Sequence, residues 1–177
     1  MKILKYRILG IFPLLFFSIK AIDCYNRNAL FDLLWFCNIT NLFLGLAISF
    51  GVLRFVWFFT LANLVGIAPW LFGLTIGIEF LYTSLLVHLV SPIIGIYILK
   101  KSDVKYQLWS YGFFYLFLLQ IVSRFSTPYR ENVNIAFYVY PELIPYFFNY
   151  PVYWAANTIG LGISFYIIEK IITKVLK

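Results

Sequence analysis

Six long apolar runs dominate the chain, and they limit its possible folds more than any other feature. They are about Ile8–Ile22, Leu33–Phe50, Val56–Phe72, Phe80–Leu99, Leu108–Phe125 and Val152–Ile172. Each run is continuous rather than alternating, which favours membrane helices over barrel strands. Charged residues make up only 12% of the chain, about half the share that is typical of soluble domains. The sequence therefore predicts an all-α fold, a polytopic transmembrane bundle of six helices in a single integral membrane domain.

The distribution of basic residues predicts that both termini are cytoplasmic. In a six-span topology, ten of the fourteen Lys and Arg residues lie on the side of the termini; the other four are Lys20, Arg27, Arg124 and Arg130. Basic residues concentrate in the cytoplasmic loops of membrane proteins. The first run is short and follows three basic residues, as a signal peptide would. We interpret it as an uncleaved helix because no A-x-A-like cleavage site follows, and a cleaved or surface segment stays an alternative.

The composition also excludes several classes of site. The net charge of +7 does not indicate nucleic-acid binding, because the basic residues sit at the ends of apolar runs. The two cysteines, Cys24 and Cys37, form no CxxC pair, and the chain has one histidine, His88. These counts do not favour a disulfide framework or a zinc site. We predict no metal, no cofactor and no nucleic-acid partner, and we expect membrane lipids as partners.

The loop at 126–151 is unusual because it is long and aromatic. It holds four prolines and five tyrosines, and the prolines forbid a long regular helix. Aromatic side chains are favoured at the level of the lipid headgroups. Two interpretations stay open: a plain anchoring loop, and an outward-facing lid over a cavity.

Polar residues inside apolar runs are costly and often mark functional sites. In the second run, Cys37, Asn38 and Asn41 fall within an arc of about 100° of a helix. In the fourth run, Ser84 and His88 share a face. The sequence predicts that Cys37 is a nucleophile and His88 its general base, with Asn38, Asn41 or Ser84 orienting the imidazole or holding an oxyanion. The alternative is that these residues are packing contacts and polar links between helices.

Other polar and small residues suggest secondary roles. Arg124, Gln120 and Asn63 are candidates for binding a lipid headgroup or another part of a substrate. Ala156, Gly160 and Ser164 recur at every fourth position of the last run. Such rows of small residues let helices approach closely, so we expect a packing seam there.

The segment Leu33-Leu34-Trp35-Phe36-Cys37-Asn38-Ile39-Thr40-Asn41, with His88 two helices later, resembles the YwaF-type bacterial integral membrane family. The resemblance covers about Leu33–Leu99, and the Leu-Pro-Leu-His lead-in typical of the family is Leu-Leu-Trp-Phe here. It implies intramembrane acyl hydrolase or acyltransferase chemistry of the kind proposed for eukaryotic relatives, with Cys37 and His88 as the pair. The segment 126–137 is also similar to an uncharacterised group of bacterial membrane proteins.

The sequence thus favours a lipid acyl hydrolase or acyltransferase in a multi-pass membrane protein, with the bacterial plasma membrane as the expected location. A non-catalytic transporter or binding protein is the main alternative, and a scaffold subunit is a third. The substrate and the oligomeric state are not indicated by any residue pattern.

Overall fold

The computed structural model describes residues 4–75, 80–102 and 104–176, and within these ranges the chain is helical with no strand. A 3-10 segment, Leu4–Gly10, leads into α1 (Ile11–Asn26), and α2 is Phe36–Phe50. The helices that follow are α3 (Leu53–Thr75), α4 (Tyr82–Ser102), α5 (Trp109–Ser126) and α6 (Tyr150–Val175). Split at a π-helical turn within α4, these residues contain seven α-helical segments. The prediction of an all-α fold is confirmed.

Four helices are long and apolar enough to cross a membrane: Lys5–Asn26, Leu53–Thr75, Tyr82–Ser102 and Tyr150–Val175. Helix α2 is apolar but shorter, with 15 residues. Large apolar side chains also cover the outer faces of the bundle, among them Ile93, Phe114 and Ile163. Exposed apolar surface on this scale is unfavourable in water and suits a lipid environment. The structure therefore describes a helical protein with four candidate membrane-spanning helices.

The first helix extends further than the sequence predicted. The first run was predicted to end at Ile22, and this end is wrong, because α1 continues to Asn26. Asp23 forms ion pairs with Lys20 at 3.3 Å and with Arg27 at 3.2 Å. Pairs with these spacings support the last turn of a helix. As a result Cys24 is helical and fully buried rather than placed in a loop, and Lys20 is buried rather than extended towards solvent.

The close helix contact lies at the first helix, not at the last. A Cβ atom on Gly10 would lie 2.6 Å from the carbonyl oxygen of Gly45, and Gly160 has no atom within 4 Å of its Cβ position. The predicted seam at Ala156, Gly160 and Ser164 is therefore wrong. Ala156 and Gly160 are exposed and face away from the bundle. Regular spacing identified a row of small residues but not the direction in which it faces.

A π-helical turn, Leu86–Val90, interrupts α4 and contains His88. Pro92 explains its position, because proline lacks the N–H that would bond to the carbonyl four residues earlier, which is that of His88. The Ser91 hydroxyl instead donates to the Leu86 carbonyl at 3.4 Å, five residues back. Turns of this kind occur often at functional sites. Here the turn widens α4 at its histidine.

The loop between α5 and α6 consists of short 3-10 turns, Tyr129–Glu131, Val133–Ile135 and Pro141–Tyr146. The prediction that it contains no long regular helix is confirmed. Its backbone is tightly folded, with φ angles of 44° at Asn132 and 54° at Asn134. The Asn132 side-chain oxygen accepts hydrogen bonds from the backbone N–H groups of Phe137 and Tyr138. The loop is thus an ordered element that packs on one end of the bundle.

Candidate functional site

A cavity of about 400 Å³ opens at the end of the bundle where this loop lies. All six helices and both neighbouring loops contribute to its wall, and most of the wall is apolar. Five of the residues that the sequence singled out line it: Cys37, Asn38, Ser84, His88 and Gln120. The expected meeting of the polar faces of α2 and α4 therefore takes place at one cavity.

Cys37 occupies the first turn of α2, close to the N-terminus of the helix. The unpaired N–H groups and the helix dipole at such an end stabilise negative charge. The Phe36 N–H donates to the side-chain oxygen of Asn134 at 2.7 Å, which ties this turn to the loop. The Cys37 thiol donates to the side-chain oxygen of Asn38 at 3.9 Å. The thiol is thus held at the cavity by a helix that the loop anchors.

His88 is buried and stacks flat on Trp70 of α3, with ring centroids 4.7 Å apart and an interplanar angle of 7°. Its Nδ1 atom is buried and has no hydrogen-bond partner among the described residues. A neutral imidazole carries one N–H, and a buried N–H without an acceptor is costly. The proton is therefore more stable on Nε2. His88 also lines the cavity, and in this state its N–H donor is on Nε2.

The two asparagines of α2 differ in position. Asn38 lines the cavity, and its amide donates to the Asp32 carbonyl at 2.7 Å. Asn41 is fully buried against α1, where its amide donates to the Pro13 carbonyl at 2.8 Å. Neither forms a hydrogen bond with His88 in the described residues. Asn41 links two helices, so the orienting role predicted for it does not fit its position.

The residues predicted to bind a headgroup are not brought together as a set. Gln120 lines the main cavity and also a second cavity of about 200 Å³, where it is joined by Arg124. The Arg124 guanidinium donates to the Ala136 carbonyl at 3.0 Å, so it is engaged with the loop. Asn63 lines neither cavity and donates to the Phe59 carbonyl within its own helix. Substrate binding by Asn63 is therefore not supported by its location.

Several wall residues were not predicted from the sequence. They are Lys20, Asp32, Trp70, Asn134 and Tyr140. Burial raises the pKa of the Tyr140 phenol above its usual range, so this hydroxyl stays protonated and can donate into the cavity. The lid interpretation of the loop could have indicated Asn134 and Tyr140. The charged residues gave no such signal, because charges next to an apolar run normally face water.

The site combines a thiol, an imidazole and several amides within an apolar enclosure. It has the components of nucleophilic acyl chemistry, and equally those of an amphiphile-binding pocket. The described residues include no group of three or more His, Cys, Asp or Glu side chains placed to hold a metal ion. Comparison with protein-family models, curated proteins and solved structures gave no match to this chain.

Proposed function

We propose that this chain is a multi-pass membrane protein that binds a lipid in its cavity and cleaves or transfers the acyl ester with Cys37 and His88. The observation that carries the proposal is the cavity, which places a thiol and an imidazole from two helices in one largely apolar wall. An apolar enclosure suits an acyl chain, and the polar residues suit an ester next to it. The resemblance to the YwaF-type family supports the same pair.

The chemistry needs only these two side chains and an acceptor. For this step the imidazole shifts its proton from Nε2, the favoured position at rest, to Nδ1. Nε2 then takes the Cys37 thiol proton, and the thiolate attacks the ester carbonyl carbon. The tetrahedral intermediate collapses to a thioester, and the leaving alkoxide takes the proton back from Nε2. Water or a second alcohol then attacks the thioester and releases the free thiol. Water gives hydrolysis and an alcohol gives acyl transfer.

For the membrane arrangement we propose six spans, with both termini in the cytoplasm of a bacterium and the loop at 126–151 outside. In this arrangement α2 and α5 cross the membrane in addition to the four long helices. The ten-to-four distribution of Lys and Arg sets the orientation of the bundle. Reporter fusions at Lys101 and Tyr140 test it, and they should report opposite sides of the membrane. Both reporters on one side would refute six spans.

Labelling with a lipid-like chloroacetamide tests the reactive pair. We expect alkylation of Cys37, and His88→Ala should slow it about 100-fold, as loss of a general base does. Cys24 is a matched control within the same chain, because it is fully buried in α1 and lines neither cavity. Equal labelling of both cysteines, or a rate unaffected by His88→Ala, would contradict the proposal.

A second function, lipid binding without catalysis, is favoured by the hydrogen bonds at the pair. A general base at Nε2 needs the proton on Nδ1, where the described residues provide no acceptor. The Cys37 thiol is directed to Asn38. If Cys37→Ala binds lipid and supports the cellular role as well as the wild type, binding alone is the function.

A further inference from the structure

Four residues of alternating charge, here called the charge chain, lie along the cavity end of α1 and in the segment after it. Lys20 lies 3.3 Å from Asp23, Arg27 lies 3.2 Å from Asp23, and Arg27 lies 3.7 Å from Asp32. Lys20 has 5% of its side chain exposed, and the other three have between 25% and 32%. The charge chain therefore extends from the protein interior towards the surface, and its four charges cancel.

The two ends of the charge chain line the cavity, and they carry opposite charges. Lys20 and Asp32 are wall residues, whereas Asp23 and Arg27 between them are not. A buried ammonium costs several kcal/mol of desolvation unless partners compensate it. Asp23 and the Thr83 hydroxyl, at 3.4 Å, do so for Lys20. The wall thus presents a cation and an anion that are each already held in place.

Trp35 adds an aromatic surface beside the anionic end. Its indole N–H donates to the Asp32 carboxylate at 3.2 Å, and Trp35 also lines the cavity. Aromatic faces combined with a carboxylate recognise ammonium groups through cation–π and ionic attraction. The rest of the wall is largely apolar and matches a hydrocarbon chain.

We propose that this wall binds the headgroup of a zwitterionic phospholipid, with its phosphate at Lys20 and its ammonium at Asp32 and Trp35. A ligand with a single charge is attracted by one end of the charge chain and repelled by the other end. A zwitterion matches both ends without adding net charge, which complementary interfaces favour. This inference rests on the lipid-binding part of the proposed function and not on catalysis.

The test measures lipid binding by native mass spectrometry of the detergent-purified full-length protein. All variants carry Cys37→Ala, so that turnover cannot change the lipid. Phosphatidylcholine or phosphatidylethanolamine competes with phosphatidylglycerol of the same acyl chains. We expect a preference of about tenfold for the zwitterionic lipids, as one charge-assisted contact provides.

Two neutralising variants should affect lipid binding in different ways. Asp32→Asn should raise the binding of phosphatidylglycerol relative to that of phosphatidylcholine about tenfold, since the repulsive carboxylate is gone. Lys20→Gln should weaken the binding of both phospholipids, and Lys20→Arg should restore it, which separates charge from folding. The matched control is Glu131→Gln, which neutralises one member of the exposed Arg130–Glu131 pair elsewhere on the surface and should change nothing.

Each other outcome overturns a defined part of the account. An unchanged lipid preference in Asp32→Asn, unchanged phospholipid binding in Lys20→Gln, or a wild-type preference for phosphatidylglycerol refutes the headgroup assignment alone. No binding of any phospholipid refutes the proposed function as well. Equal competition by glycerophosphocholine, which lacks acyl chains, would reassign the wall to a soluble zwitterion and refute the lipid.

Discussion

Replacing Asn134 by glycine tests whether the loop holds the helix that carries Cys37. The Asn134 side chain accepts from the Phe36 N–H at 2.7 Å and donates to the Leu34 carbonyl at 2.7 Å and to the Ser123 hydroxyl at 2.8 Å. It therefore joins the loop, the start of α2 and the end of α5. Its φ of 54° lies in the left-handed region, which glycine adopts without strain.

The expected loss follows from these three bonds. Each contributes about 1 kcal/mol net, so Asn134→Gly should cost about 3 kcal/mol. At about 2–4 °C per kcal/mol for a chain of this size, the Tm should fall by about 6–12 °C. Asn134→Ala should cost a further 1–2 kcal/mol or so, because a Cβ atom disfavours the left-handed backbone.

Thermal unfolding in detergent, followed by circular dichroism, measures the loss. Asn28→Gly is the matched control, because Asn28 has a φ of 55°, is exposed, and its side chain forms no hydrogen bond with the described residues. The control removes the backbone contribution that both substitutions share. A Tm for Asn134→Gly within 2 °C or so of the control would refute the anchoring role of the side chain.

Three further predictions use other parts of the bundle. Gly10→Leu should lower the Tm by several degrees, because its Cβ would meet the backbone of α2. Gly160→Leu should leave the Tm unchanged, and equal Tm values for the two variants would contradict this prediction. Glu169→Ala should cost about 2–5 kcal/mol in chemical unfolding, because it leaves the Trp57 and Leu108 N–H groups buried without an acceptor; a cost below about 1 kcal/mol would argue against it. Trp70→Leu should slow alkylation of Cys37 by the chloroacetamide and change the pH profile of that reaction, since the indole face that holds His88 is lost. An unaltered pH profile would show that the stacking of Trp70 on His88 only fills space.

The sequence was sufficient for the elements and for much of the site. Apolar runs longer than about 15 residues predict helices reliably, because backbone groups in lipid must bond within the helix. The shared polar faces of the second and fourth runs predicted that Cys37, Asn38 and His88 belong to one site, and all three line one cavity. Periodicity is a property of a single helix, and it can be determined from one sequence.

The rest depended on how the helices pack, which periodicity does not determine. The row at Gly160 faces outward, and the close contact is at Gly10, because rotation about the helix axis is set by neighbouring side chains. Lys20 was expected near water, but Asp23 and Thr83 compensate its charge inside the protein. Trp70 meets His88 only because the two helices cross at that level.

The account depends most on acyl chemistry at Cys37, and intact-mass spectrometry after incubation with phospholipid tests this directly. A covalent thioester forms in the proposed mechanism, so the wild type should gain the mass of one fatty acyl chain. Hydroxylamine should remove this mass, and peptide mapping should place it on Cys37. His88→Ala should lower its yield strongly, and Cys37→Ala should lack it. An acyl mass that persists in Cys37→Ala, or a wild type that remains unmodified while the phospholipid stays intact, would contradict the proposed chemistry.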